Sequence, residues 1–219
     1  MNRAADNTAP REPRLDDLAS FERHQLLADL DWDGVSVQHD FSGCDMGGLH
    51  VRGARCVASH FVAAELQQAR LIDVVFERCD LSGARLDEAT LTRVRFQDCR
   101  LSGVQLGAAH LTDVRFVNCR LDGASFRMLR GRRIRYESSL LPEAEFADSE
   151  LSFVHFEHCD LTGTDFSQAR IPDAHLRGSV LDSLRGIQGL QRPVIDSAQT
   201  VPFALQLLSV HGVVVDDDA

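Results

Sequence analysis

The chain has 219 residues, 44% of them hydrophobic, and a formal net charge of −10. This composition suits one domain or a small solenoid and excludes wholesale disorder. The acidic balance disfavours direct binding to nucleic acid or to an anionic membrane, because both are anions themselves. No stretch of about 18 apolar residues occurs, so no transmembrane helix is predicted and a cytoplasmic location is expected.

The N-terminal segment divides into a polar tail and a helical cap. Residues 1–14 are rich in Ala, Asn, Pro and Arg, which predicts a disordered tail. Apolar residues recur at roughly helical spacing from Leu15 to Leu30, which predicts a short helix. The sequence Trp32-Asp33-Gly34 is expected to turn the chain, so that residues 15–37 form the cap.

A five-residue repeat occupies residues 38–184. From Phe41 onward nearly every fifth residue is large and apolar, and Gly131 interrupts the series without shifting its register. The residue two places earlier is small, as in Ala64 and Ala84. Inward side chains two residues apart follow the alternation of a strand, so each five forms a short extended side and a corner. Such an internal repeat predicts a solenoid.

A second period, of twenty residues, predicts four sides per coil. An aromatic residue recurs at this spacing, and so does a corner glycine, in two series: Phe76, Phe96, Phe116, Tyr136 and Phe156; Gly83, Gly103, Gly123 and Gly163. Like residues would stack on neighbouring coils about 4.8 Å apart, in roughly seven coils.

The repeat resembles that of the pentapeptide-repeat family, whose pattern is Ala-(Asp/Asn)-Leu-X-X. Here the pattern stands as Cys79-Asp80-Leu81 and as Cys159-Asp160-Leu161, with two more residues completing each five. The resemblance implies an all-β solenoid, a right-handed quadrilateral parallel β-helix with short N- and C-terminal helical caps.

Residues 185–219 follow the repeat and are predicted to form a C-terminal cap or a dimerisation segment. Thr200 can cap a short helix, Pro202 suits its first turn and Gly212 ends it. The segment has too many large apolar residues for one helix face to bury on a narrow coil end, so a homodimer interface is expected at Val201, Phe203, Leu205, Leu207, Leu208 and Val213. The alternative is that the segment caps its own coil in a monomer.

No residue pattern indicates an enzyme, a cofactor or a metal site. Five of the six cysteines occupy the small inward position, which explains them as core residues. The histidines His155, His158 and His175 could approach one another, but they are expected on a solvated surface. Nucleotide-binding and hydrolase motifs are absent from the sequence.

Charge is distributed unevenly along the repeat, and two candidate partner-binding surfaces follow from it. The first, the arginine belt, consists of Arg93, Arg95, Arg115, Arg130, Arg132, Arg133 and Arg135. The second, the acidic surface, consists of Glu137, Glu143, Glu145, Asp148, Glu150, Glu157, Asp160, Asp165 and Asp173. They could meet a protein of complementary pattern or be two solvated surfaces that happen to differ.

The resemblance also implies a function. The best-studied branch of the family comprises fluoroquinolone-resistance proteins, which are cytosolic dimers that mimic DNA and bind DNA gyrase or topoisomerase IV. A DNA-mimicking modulator that protects against topoisomerase poisons is therefore expected, since an acidic rod can occupy a basic DNA-binding saddle. The alternative is a protein-interaction scaffold or adaptor with an unrelated partner.

Overall fold

A parallel β-solenoid of about eight turns forms the body of the protein. The computed structural model describes residues 8–20, 22–28, 30–210 and 212–213. Within these residues one parallel sheet has eight strands in chain order: β1 (Ala19–Ser20), β2 (Asp31–Val37), β3 (His50–Val57), β4 (Arg70–Glu77), β5 (Thr90–Gln97), β6 (His110–Val117), β7 (Arg130–Glu137) and β8 (Glu150–Glu157). The strands β3 to β8 begin twenty residues apart, which confirms the predicted period.

Each coil has corners at every fifth residue. Ala58, Ala63, Gln68 and Asp73 all have positive φ, between 47° and 60°. The strands β2 to β8 cover two adjacent sides of the coil, and we call this surface (residues 49–58 and their equivalents) the strand face. Backbones of the other two sides pair through ladders of isolated bridges, such as Asp40 to His60 and Asp45 to Glu65. We call this surface, residues 39–48 and their equivalents, the bridge face.

The interior is filled by stacked side chains. Phe116 lies between Phe96 and Tyr136, with ring centroids 4.9 and 4.8 Å away and ring planes within 4° of parallel. This spacing is that of neighbouring coils, so the aromatic column extends along the rod axis. Gly131 keeps the register, paired with Leu111 and Leu151. The expected interior is therefore confirmed.

The N-terminal predictions were partly wrong. Residues 8–18 contain neither helix nor strand, and Arg11 and Arg14 contact the coils, where the sequence predicted a disordered tail and a helix. Residues 1–7 lie outside the described part of the chain. The helix α1 spans only Arg23–Ala28. Pro10 and Pro13 disfavour helix in the residues before them, and Leu15 and Leu18 are half-buried beyond.

The solenoid also begins before residue 38, inside the predicted cap. Trp32 lies in β2, is buried, and packs against Phe41 with ring centroids 5.5 Å apart. The expected turn at this point is a coil corner instead, because Gly34 has φ +61° within the strand. β2 pairs with β3 along most of its length and completes the first coil.

At the other end the coil continues past residue 184. The strand β9 (Ile171–Pro172) pairs with β10 (Leu190–Gln191), which follows a 3₁₀ turn at Ile187–Gly189. His175 forms a further bridge with Val194. The helix α2 then spans Thr200–Val210. Residues 211 and 214–219 of the predicted C-terminal segment lie outside the described residues.

Candidate partner-binding surfaces

The two faces of the rod carry opposite charge. On the bridge face between Asp40 and Arg185, the carboxylates are Asp40, Asp45, Glu65, Asp80, Asp87, Glu88, Asp122, Glu143, Glu145, Asp148, Asp160, Asp165 and Asp182. They outnumber the arginines there, which are Arg85, Arg100, Arg120, Arg127 and Arg185. On the strand face arginines outnumber carboxylates. Charge is therefore segregated around the rod as well as along it, which the sequence analysis did not predict.

The structure divides the predicted acidic surface between these faces. Glu143, Glu145, Asp148, Asp160 and Asp165 lie on the bridge face, whereas Glu137, Glu150, Glu157 and Asp173 lie on the strand face. Ion pairs within the first group are long and exposed. Arg127 lies 3.9 Å from both Glu145 and Asp148, and Arg185 lies 3.9 Å from Asp165. Such pairs add little stability, and the carboxylates of this face still outnumber its arginines.

The seven residues of the arginine belt all lie on the strand face, in β5, β6 and β7. Arg95, Arg115 and Arg135 are direct neighbours across the sheet and form one column along the rod. His155 and His175 continue this column toward the C-terminal end. Five side chains that are cationic or can become so therefore stand one coil apart in a row.

Two arginines of the belt are already paired within the chain. Arg93 binds Asp73 with two hydrogen bonds of 2.6 and 2.7 Å. Two coils further along the rod, Arg133 also binds Asp113 with two hydrogen bonds, one of them 2.8 Å long. Both of these side chains are buried. Burial raises the pKa of Asp113, but the hydrogen bonds from Arg133 and from the backbone of Arg11 outweigh it and leave the pKa lowered. The guanidinium groups of these two arginines therefore bridge neighbouring coils and are already paired within the chain.

Residues 8–14 cross the strand face, and we call them the N-terminal strap. Its backbone N–H groups at Arg11 and Arg14 donate to the carboxylates of Asp113 and Asp73, over 3.1 and 2.9 Å. Pro10, a residue of the strap itself, is buried. The strap therefore lies over the belt that the sequence analysis predicted to be open.

The strap also places a carboxylate on the arginine column. Glu12 lies 2.7 Å from Arg115 and 3.7 Å from Arg95. Its side chain remains 51% exposed. On the strap, the carboxylate of Glu12 lies between the N–H groups of Arg11 and Arg14. On the strand face, these groups meet arginines of the column and the carboxylates of Asp73 and Asp113.

The strap matches the spacing of the coils. Asp73 and Asp113 stand forty residues apart, which is two coils, whereas Arg11 and Arg14 are three residues apart. Two coils measure about 9.6 Å and three residues of extended chain measure about 9–10 Å. The N–H groups of Arg11 and Arg14 therefore meet equivalent carboxylates two coils apart.

The rest of the belt is more open. Arg130 and Arg132 are exposed, and the guanidinium of Arg132 lies 5.6 Å from the ring centre of Phe153. Arg135 lies 3.7 Å from Glu137. These residues form the part of the belt that a partner could reach beside the strap.

The histidines differ from the expected solvated arrangement. His155 is buried, stacks on His175 with ring centroids 4.3 Å apart, and contacts Glu157 over 3.2 Å. His158 stands outside this stack, at an exposed corner. Among the described residues no group of His, Cys, Asp and Glu has the arrangement of a metal site.

The helix α2 has one face on the coil and one in solvent. Phe203 is buried, and Gln199 donates to the carbonyls of Leu176 and Ser179 over 2.7 and 2.6 Å. Gln206 accepts from the backbone of Leu184 over 3.0 Å. These glutamines satisfy backbone groups that a further coil would otherwise pair, so the helix caps the solenoid.

The predicted dimer residues are therefore split. Phe203 belongs to the cap and cannot reach a partner, because the coil end covers it. The other five are exposed, from 37% to 67%: Val201, Leu205, Leu207, Leu208 and Val213. Among the described residues no helix is long and apolar enough to cross a membrane.

Comparisons with known proteins agree with this architecture. The family described as "Pentapeptide repeat region" matches residues 69–146, and "Pentapeptide repeats (8 copies)" matches residues 140–182. Together they cover more than half of the chain. A search of curated proteins gave no significant match.

Solved structures of similar fold include full-length QnrB1, a plasmid-mediated fluoroquinolone resistance protein. It is 21% identical, with a TM-score of 0.53, over 86% of this chain and 94% of that one. HetL, a pentapeptide repeat protein involved in heterocyst differentiation regulation in the cyanobacterium Nostoc sp., is 17% identical with a TM-score of 0.43, over 78% of this chain and 92% of that one.

Proposed function

The chain belongs to the pentapeptide-repeat family, and we propose that it is a non-enzymatic binding protein that modulates DNA gyrase or topoisomerase IV by mimicking DNA. In this role it protects the topoisomerase against poisons such as fluoroquinolones, in the cytosol. Its fold is shared with QnrB1, whose name records fluoroquinolone resistance.

The observation that carries the proposal is the bridge face. Its carboxylates are distributed along the solenoid, whose interior is filled by side chains, from Asp40 to Asp182. A topoisomerase grips DNA with a basic surface, and a rod with one acidic face can lie against such a surface. The strand face, where the arginines lie, would point away from the enzyme.

The exposed apolar row on α2 supports a second element of the proposal, a homodimer. Val201, Leu205 and Leu208 lie on the side of the helix that does not contact the coil. A two-fold pairing of these rows would bury them and join two rods end to end, and it would close without forming a fibre. The acidic bridge faces would then extend over about twice the length of one rod.

A DNA-cleavage assay tests the proposal directly. Purified gyrase and topoisomerase IV are assayed with a fluoroquinolone, with and without this protein at micromolar concentration. We expect the wild type to reduce drug-induced DNA cleavage. The variant E143Q/E145Q/D148N/D165N, which neutralises the bridge face, should need about tenfold more protein for the same effect.

The matched control is E137Q/E150Q/E157Q/D173N, which removes as many carboxylates from the strand face. It should act like the wild type, because these residues would point away from the enzyme. Equal loss in both variants would assign the effect to net charge alone. A wild type without effect on either topoisomerase would overturn the proposal and favour a scaffold or adaptor with another partner.

A further inference from the structure

The arginine column under the N-terminal strap has more binding capacity than the strap uses. Glu12 is the carboxylate of the strap that reaches the column, and it serves Arg95 and Arg115 together. The Nε atoms of Arg95, Arg115 and Arg135 are buried and have no hydrogen-bond partner within the described part of the chain. Because one carboxylate faces two guanidinium groups, a ligand with more carboxylates would balance the charge of this column better.

We propose that the column Arg95, Arg115, Arg135 and His155 is a docking site for an acidic extended segment of a partner protein, and that the strap is a built-in competitor that occupies it. This site lies on the opposite face from the one proposed to meet a topoisomerase and does not depend on that function.

The geometry favours a peptide over a nucleic acid. Asp73 and Asp113 accept backbone N–H groups of the strap, and a nucleic-acid backbone has no such donor to offer them. Both carboxylates would instead repel phosphate groups. The site therefore selects a chain with N–H groups three residues apart and a carboxylate between them, as in residues 11–14.

The register of the strap predicts what the better ligand carries. Glu12 lies between Arg95 and Arg115. At the same spacing, a ligand residue three positions earlier would lie two coils further along, near Arg135 and His155. The strap has Ala9 there, and its neighbour Thr8 lines the same hollow as His155 and His175. A segment with acidic residues at both positions would engage twice as many column side chains.

The strap is suited to release. Its ion pairs are largely exposed, and such pairs add little stability in water. Its advantage is its tether, because a linked segment is present at a high effective concentration. A partner that contributes a second carboxylate, or further contacts elsewhere, can therefore displace it.

The test uses the full-length protein and a labelled peptide of residues 8–16, in its natural form and in the Ala9→Glu form. In the protein, Glu12→Arg releases the strap by repulsion from Arg95 and Arg115. The exposed Asp16→Arg is the matched control, since it makes the same charge change outside the contact. Hydrogen exchange of residues 8–15 reports whether the strap has left.

We expect faster exchange of the strap in Glu12→Arg and unchanged exchange in Asp16→Arg. The Ala9→Glu peptide should bind the Glu12→Arg protein about tenfold tighter than it binds the wild type, and tighter than the natural peptide does. Adding Arg115→Glu should abolish the binding. A DNA duplex should not bind any of these proteins.

Three outcomes would overturn the proposal. One is a released strap with no peptide binding at millimolar concentration. Another is binding that persists after Arg115→Glu, or binding of the duplex in place of the peptide. The third is a strap that stays protected both in Glu12→Arg and in a second variant, Pro10→Asp, which places a charge at the buried proline.

Discussion

The side chain of Ile134 lies where a side chain on Gly131 would have to lie. A Cβ built on Gly131 would overlap the Cδ1 atom of Ile134 and come within 3.0 Å of Leu151. The neighbouring coil has Leu111 and Val114 at the equivalent positions. The missing side chain in the repeat is thus replaced by the larger side chain three residues later.

This relationship predicts a compensating pair. Gly131→Leu alone should destabilise the fold by about 1–3 kcal/mol because it overfills the coil. Ile134→Val alone should cost about 0.5–1.5 kcal/mol because it leaves a void. The double variant restores the packing of the neighbouring coils and should be close to the wild type. Denaturant unfolding in a double-mutant cycle measures the coupling, and additive effects would contradict the packing described here.

The protein is predicted to be less stable with tyrosine at position 136 than with phenylalanine there. Its ring is fully buried in the aromatic column, and its hydroxyl has no hydrogen-bond partner among the described residues. Burial also raises the pKa of this phenol. Tyr136→Phe should stabilise the protein by about 1 kcal/mol, which corresponds to a Tm increase of about 2–4 °C. The converse change, Phe116→Tyr, should lower the Tm. A lower Tm for Tyr136→Phe would contradict the prediction and indicate that the hydroxyl has a hydrogen-bond partner.

The cysteines should react slowly in the native protein. All six lie in the described residues and form no disulfide, and five of them are buried. A hydrogen bond with Cys119 contributes most to raising the pKa of Cys99 to about 12, and burial raises that of Cys159 to about 12. Since the thiolate is the reactive form, thiol labelling at pH 8 should modify the half-buried Cys44 first. A Cys44→Ser variant should remove this early phase, and rapid labelling that survives the change would contradict the inward register.

His175 should make stability fall in mild acid. Burial lowers its pKa, and the charges of His155, Arg177 and Arg135 lower it further, although Glu157 acts in the opposite direction. The folded protein therefore binds a proton less readily than the unfolded chain, whose histidine titrates near pH 6.5. The stability contributed by the neutral form is present above this pH and is lost as the pH falls below it.

Melting temperatures between pH 8 and pH 5 would measure this effect. His175→Gln should reduce the loss of stability on acidification, whereas the same change at the exposed His110 should leave it unaltered. An identical pH dependence in wild type and His175→Gln would show that the histidine stack is not its cause.

The dimer proposal predicts that charge on α2 separates the two copies. Leu205 is 60% exposed on the helix, so Leu205→Arg should give a folded monomer by light scattering. Val180→Arg, at an exposed position of the coil, is the control and should remain dimeric. A wild type that is monomeric at micromolar concentration would contradict the proposal.

The regular part of the fold was predictable because the same five-residue pattern recurs many times in one register. The apolar series from Phe41 to Leu181 indicates which side chains point inward. The twenty-residue period independently indicates which of them stack on neighbouring coils. The first coil was missed because β2 pairs with β3 at an offset of nineteen residues and Trp32 replaces the usual aliphatic residue. The burial of Phe203 was missed because a helical stripe does not show which of its sides meets the coil.

The strap could not have been predicted from composition. Residues 8–14 have no apolar period, and their contacts are made by backbone N–H groups and by Glu12 with residues more than fifty positions away. Such contacts follow from the surface that the coils create. The same reason explains why the arginine belt looked open in the sequence and is partly covered in the structure.

The match of three strap residues to two coils restricts how this protein could change its length. Removing one coil of twenty residues from under the strap would leave the solenoid intact but bring an arginine such as Arg93 opposite an N–H group that now meets Asp73 or Asp113. Removing two coils together with three strap residues would keep the remaining N–H to carboxylate contact in register, because aspartate and arginine alternate from coil to coil in this column. Relatives that keep the strap should therefore differ in this region by multiples of forty residues, while relatives without it can vary by twenty.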